Sequence, residues 1–136
     1  TCDQVASPHP APWDEPCNAP DAAVEALAEA WLLEPANWAT SAVIEEISAE
    51  GPRFADLVAI KAVTIDQLFS AGARGAFHVS CRGTYRGGFD DIDSAQIGQP
   101  VTLALAGLFD SEAGRIVRVQ VTADRLGLNR ALMPPR

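Results

Sequence analysis

Apolar positions along this chain change period about a third of the way through. Val24, Leu27, Ala28 and Trp31 recur at the i, i+3, i+4, i+7 spacing of one buried helix face. Pro20 and Asp21 open that helix, proline suiting the first turn and aspartate the positive end of the dipole. Pro35 stops it, because the residue before a proline disfavours helical geometry. Val43, Ile44 and Ile47 form a second stripe. It predicts a second helix from about Asn37 or Thr40 to Glu50, ended by Gly51-Pro52, with Trp38 packed between the helices.

Beyond Pro52 the pattern becomes that of strands. Val58 to Phe69 is dense in β-branched and apolar residues. Ala71-Gly72-Ala73-Arg74-Gly75 supplies a hairpin turn with two glycines that permit positive φ. In the next strand, Ala76 to Tyr85, Phe77, Val79 and Cys81 alternate with His78, Ser80 and Arg82. An acidic loop from Gly87 to Gly98 leads to a third strand, Val101 to Phe109, with Pro100 at its start where a missing donor is tolerated. A turn over Asp110 to Gly114 precedes a fourth strand, Arg115 to Ala123. There Val117, Val119 and Val121 share one face, and Ile116, Arg118, Gln120 and Thr122 the other. Helices first, then an antiparallel meander, predict an α+β fold with the helices on one face of a curved sheet. The chain has no βαβ alternation and no G-x-G-x-x-G, which argues against a dinucleotide fold.

Composition narrows the class. With 136 residues, 48% hydrophobic and 21% charged, the chain is sized for one globular domain, placed at 20–132. Residues 1–19 carry Pro8, Pro10, Pro12 and Pro16 and read as an irregular N-terminal segment, with Trp13 either pinned to the domain or exposed. Cys2 and Cys17 bracket that segment, either as a disulfide in an oxidising compartment or as two free thiols in a reducing one. A cytoplasmic location is expected; a secreted or periplasmic one goes with the disulfide. No signal-peptide pattern opens the chain, although Thr1 in place of Met leaves room for a removed leader. The net charge of −8 opposes phosphate backbones and anionic lipids. Arg82, Arg86, Arg115 and Arg118 are scattered rather than striped, and no apolar run is long enough to span a bilayer. Nucleic acid and membranes are therefore not expected partners. Cys/His spacing suggests no zinc site, and Asp90, Asp91 and Asp93 lack the glycine and terminal glutamate of a calcium loop, so no cofactor is expected.

A resemblance rests on ordered signposts. In the run GAFHVSCRGTYRGGF, Gly75 to Phe89, a strand ends in Gly83, Thr84 and Gly87. Gly98, Val101, Gly107, Gly114, Arg115, Ile116, Asp124, Leu126, Gly127 and Leu128 follow in order, and Phe54, Asp56 and Leu57 precede in PRFADL. Over roughly residues 40 to 130 this resembles the SnoaL-like polyketide cyclase branch of the NTF2-like superfamily. The resemblance implies an NTF2-like cone, with N-terminal helices over a curved, mainly antiparallel sheet and a pocket between them. It also implies cofactor-free handling of a small organic molecule, and a homodimer formed through the sheet. Departures lie in the pocket lining. Tyr85 stands where the family usually has His, Gln120 where a Trp is frequent, and DIDSAQIGQ replaces the Pro-Thr-Gly loop. Because the fold hosts cyclases, isomerases, epoxide hydrolases, dehydratases and plain binders, function has to be argued from the site.

Asp124 is the first candidate. In the resembled cyclases the Asp at this point is the general acid/base of an intramolecular aldol reaction, and an apolar cone would raise its pKa towards the working pH. By parity it shares a face with Gln120, Arg118 and Ile116. The bland alternative is a strand-end Asp that caps the next turn or pairs with Arg125 or Arg118. His78 is the second acid/base candidate, against a hydrogen-bonded core or outer-face histidine. Tyr85 would polarise an enolate oxygen or simply pack at a strand end. Arg82 and Arg118 would bind an acidic group or bridge strands, and Ser80, Gln120 and Trp31 are further substrate-binding candidates. Three functions follow: a cofactor-independent cyclase or isomerase acting on a small carbonyl compound, a non-catalytic small-molecule-binding or accessory subunit, and an epoxide hydrolase. The last wants an Asp-Arg-Asp arrangement whose second carboxylate the sequence does not place. A hydrolase triad is rejected, since no nucleophile elbow is present.

Overall fold

The computed structural model describes residues 19–47 and 52–133. Cys2, Cys17, Trp13 and Gly51 lie outside the described residues. The first helix, α1, spans Ala22–Leu32. Asp21 caps it, its Oδ1 accepting from the amides of Ala23 (2.9 Å) and Val24 (3.2 Å), a contribution of about 1 kcal/mol. Its expected stripe is the face that packs: Ala28 and Leu32 are buried, with Val24, Leu27 and Trp31 against them. The chain then turns at Pro35 into a single helical turn, α2 (Trp38–Ser41).

The second long helix does not form. Ala42 is already extended (φ −146°, ψ 157°), and Val43–Glu46 is a strand, β1, lying parallel to the last strand. The helical spacing of Val43, Ile44 and Ile47 is coincidental: only Ile44 packs inward, while Val43 and Ile47 are exposed. Two β-branched residues in succession suit a sheet edge. Tertiary partners complete the assignment, since Glu45 meets Arg118, Glu46 meets Arg125, and the Ile47 amide donates to Val121 O (2.8 Å).

A further helical turn, α3 (Phe54–Leu57), leads into the meander: β2 (Val58–Ala71), β3 (Arg74–Tyr85), β4 (Pro100–Glu112) and β5 (Arg115–Ala123). The sheet order is β1-β5-β4-β3-β2, antiparallel except for the β1/β5 pair. Helix α4 (Arg125–Leu132) follows β5, with Leu128 and Leu132 buried.

Bulges curve this sheet. Register shifts leave Lys61 and Asp66 unpaired in β2 and Val117 unpaired in β5, and each extra residue bends its strand. The Val117 bulge also corrects the expected alternation. Ile116 is buried (3% exposed) on the side of Val119 and Val121, whereas Arg118 is exposed. Gly107 serves the curvature in another way: a Cβ there would strike the Phe77 ring and the Gln120 carbonyl. The inner face carries Phe77, Val79, Cys81, Leu103, Leu105 and Phe109, covered by Leu32, Trp38, Phe54 and Leu128. Each such side chain contributes about 1.5–3 kcal/mol through burial.

Candidate functional site

The cone is nearly full. Its interior cleft holds about 10 Å³ and is walled by Trp31, Leu32, Trp38, Ile44, Phe54, Phe77, Leu105, Val119 and Val121. None of these side chains titrates, and the free space is on the order of a single water molecule. The room lies at the rim. There an open groove of about 520 Å³ runs between α2, α3 and the first residues of β2, sharing Trp38, Ile44 and Phe54 with the interior.

Local sequence builds this partition. Trp38 stacks on Trp31, with ring centroids 5.4 Å apart, and tilts against Phe54 at 6.4 Å. Trp38 Nε1 donates to Trp31 O (2.9 Å), and Trp31 Nε1 donates to Ser41 Oγ (2.7 Å). Both indole N–H groups are therefore satisfied locally, which leaves the ring faces as wall. On the other side of Phe54 stands a residue that the sequence reading missed. Glu46 has only 2% of its side chain exposed, accepts the Phe54 amide at 3.2 Å on both oxygens, and pairs with Arg125 Nη2 at 2.7 Å. It ties β1, α3 and α4 together, and so sets where α3 presents its flanking charges.

Those charges line the groove: Arg53, Asp56 and Arg86, above a floor of Trp38, Phe54, Ile44, Val58 and Ile60. Arg53 Nη2 donates to Ile44 O and Arg86 Nη1 to Ala55 O, each at 3.3 Å. Among the described residues neither guanidinium has a carboxylate partner. The signposts Phe54 and Asp56 and the interhelical placing of Trp38 were the visible signals for this groove. Arg53 and Arg86 carried none.

The residues singled out from sequence do not converge. Asp124 is exposed at the end of β5 and caps α4, Oδ1 accepting the Gly127 amide at 2.9 Å. His78 lies on the outer face of the sheet, its Nδ1 2.9 Å from Asp66 Oδ2. Ser80 donates to the same oxygen at 2.7 Å. Arg82 is exposed on that face opposite Thr102, and Arg118 pairs there with Glu45. Gln120 lines a smaller outer groove of about 420 Å³ with Phe69, Arg74, Leu108 and Asp110. Tyr85 is buried, and its hydroxyl accepts the Phe89 amide at 3.0 Å. Of the eight, only Trp31 lines the interior cleft. Cys81 is fully buried, and burial, with the Asp66 charge second, pushes its thiol up to about 12. It stays protonated and inert at neutral pH. Among the described residues no group of His, Cys, Asp or Glu is arranged to hold a metal ion, and no helix is long and apolar enough to cross a membrane.

Helices folded over a bulged, mainly antiparallel sheet around an aromatic-walled cone define an NTF2-like α+β domain. The chain belongs to the SnoaL-like polyketide cyclase family, whose model matches residues 19–132. Solved structures share the fold at low identity. A SnoaL-like protein from Jannaschia sp. CCS1 is 14% identical, with a TM-score of 0.58 over 98% of this chain and 99% of that one. TsrD from Streptomyces laurentii is 21% identical, with a TM-score of 0.55 over 82% and 95%. An LEH-like epoxide hydrolase from M. tuberculosis is 16% identical, with a TM-score of 0.54 over 81% and 89%. No curated protein matches the chain.

Proposed function

We propose that this protein binds a small organic molecule in the rim groove and works as a binding domain rather than through acid/base chemistry at Asp124 and His78. One observation carries the reading. The groove offers about 520 Å³ over an aromatic and aliphatic floor, the size and character of small-molecule sites. Asp124 and His78 meanwhile stand outside it, held by Gly127 and Asp66. A general base must reach the proton it takes, and among the described residues neither Asp124 nor His78 is in the lining of the rim groove, the outer groove or the interior cleft.

A cofactor-independent cyclase or isomerase is the second reading, favoured by one feature of the same groove. Asp56 lines it along with Arg53 and Arg86, a carboxylate base in the same groove as cations suited to an enolate oxygen. The epoxide-hydrolase reading still lacks its second carboxylate here, since Asp56 is the one Asp or Glu lining the groove among the described residues.

An NMR screen with small aromatic and aliphatic compounds tests the proposal. Shifts should centre on the Trp38 indole and the amides of Ala39, Ala55 and Ala59. Perturbations confined to the outer sheet face, or none at all, would remove the groove as the site. Turnover of a bound compound that disappears in Asp56→Asn would replace the binding reading with the enzymatic one.

A further inference from the structure

The rim groove is lined by two guanidiniums that have no carboxylate partner among the described residues, a state they share with Lys61, Arg82, Arg115 and Arg130, but here beside an apolar floor. Arg74 is matched by Asp110, Arg118 by Glu45 and Arg125 by Glu46. Arg53 and Arg86 border one groove from two directions, Arg53 just ahead of α3 and Arg86 just after β3, and both donate only to backbone carbonyls at 3.3 Å among the described residues. Such long bonds use one donor of five on each guanidinium and leave the planar forks available for an oxyanion. Asp56 shares the lining but forms an ion pair with neither.

The rest of the molecule sharpens the contrast. The chain carries 18 Asp and Glu against 10 Lys and Arg, so its long-range field disfavours anions. An anion would be held here only by local contacts, and only if apolar burial adds to them. The groove provides both, with its floor of Trp38, Phe54 and Ile60 beneath the two guanidiniums.

Resting on the reading of this groove as a small-molecule site, we infer that its ligand is an amphipathic organic anion. An aromatic or branched aliphatic body lies on Trp38 and Phe54, and one carboxylate or similar oxyanion is held between Arg53 and Arg86. Neutral compounds of the same shape bind the floor alone and lose the charge-assisted hydrogen bonds.

The test compares 1-naphthylacetate with the isosteric neutral amide 1-naphthylacetamide, by calorimetry with NMR mapping of the contacted residues. The acid should bind about tenfold or more tightly than the amide, as expected for hydrogen bonds to a charged group. That margin should shrink as salt rises from low to molar concentration. In Arg53→Gln combined with Arg86→Gln the margin should vanish, the acid losing more affinity than the amide. Both arginines are exposed, so the double variant is expected to keep the fold, which its far-ultraviolet circular dichroism would verify. Equal binding of acid and amide in the groove overturns the anion inference and leaves the groove reading standing. Binding of neither compound to the groove removes both. An acid preference that survives the double substitution places the anion elsewhere and also overturns the inference.

Discussion

Trp38, Ile44 and Phe54 each present two sides. Their inner side closes a cleft of about 10 Å³ in which every neighbour is apolar, and their outer side floors a groove of about 520 Å³ rimmed by Arg53, Asp56 and Arg86. The same three residues thus belong to a filled core and to an open site. Inside, packing leaves no room for a substrate and presents no titratable side chain. Outside, the charged residues flanking α3 and ending β3 stand next to apolar surface. In this SnoaL-like chain the side chains that seal the cone also form the floor of the groove on its rim.

Removing the partition is the strongest way to break this comparison. Trp38→Ala deletes a buried indole and its bond to Trp31 O, and should cost about 3–5 kcal/mol in denaturant unfolding. If the folded fraction still bound a groove ligand with unchanged affinity, the floor would not be where we place it. The strut behind Phe54 is the next lever. Arg125→Ala leaves the Glu46 carboxylate buried without its cation and should cost about 3 kcal/mol. It should also shift the Phe54 and Asp56 amide resonances, because Glu46 anchors α3. Unmoved α3 signals would separate the ion pair from the site. The smallest effect is the most discriminating for Asp124. As a helix cap it should cost about 1 kcal/mol when changed to Ala, and only a few tenths when changed to Asn, which caps equally well. A binding or activity loss in Asp124→Asn without a stability loss would return the aspartate to a functional role.

The fold was more legible than the site, for a reason visible in particular residues. The stripe of α1, the alternation of Phe77, Val79 and Cys81, and the paired Ala113-Gly114 turn are local signals. The SnoaL-like signposts added order and spacing across them. The second helix failed because Val43, Ile44 and Ile47 fit both a helical stripe and an edge strand. Glu45 and Glu46 find their arginines only once β5 and α4 lie alongside. Of the residues expected to share a face with Asp124, Ile116 lies on the other side because one extra residue, Val117, resets parity ahead of Arg118.

What the sequence determined by itself is therefore the class: helices leading a curved meander, a single core, and an acidic chain with no motif for metal, nucleotide or nucleic acid. Those properties follow from composition and from periods of a few residues. Only the tertiary structure decided between the alternatives for His78, Ser80, Gln120 and Asp124, and brought Arg53 and Arg86 into the lining of one groove with Trp38 and Phe54. The side taken by Ile116 depends on the Val117 bulge, and the placing of α3 on long-range bonds of Glu46 to Phe54 and Arg125. A bulge exchanges the two faces of a strand without altering its composition. A pair formed across 79 positions leaves no periodic trace in the chain.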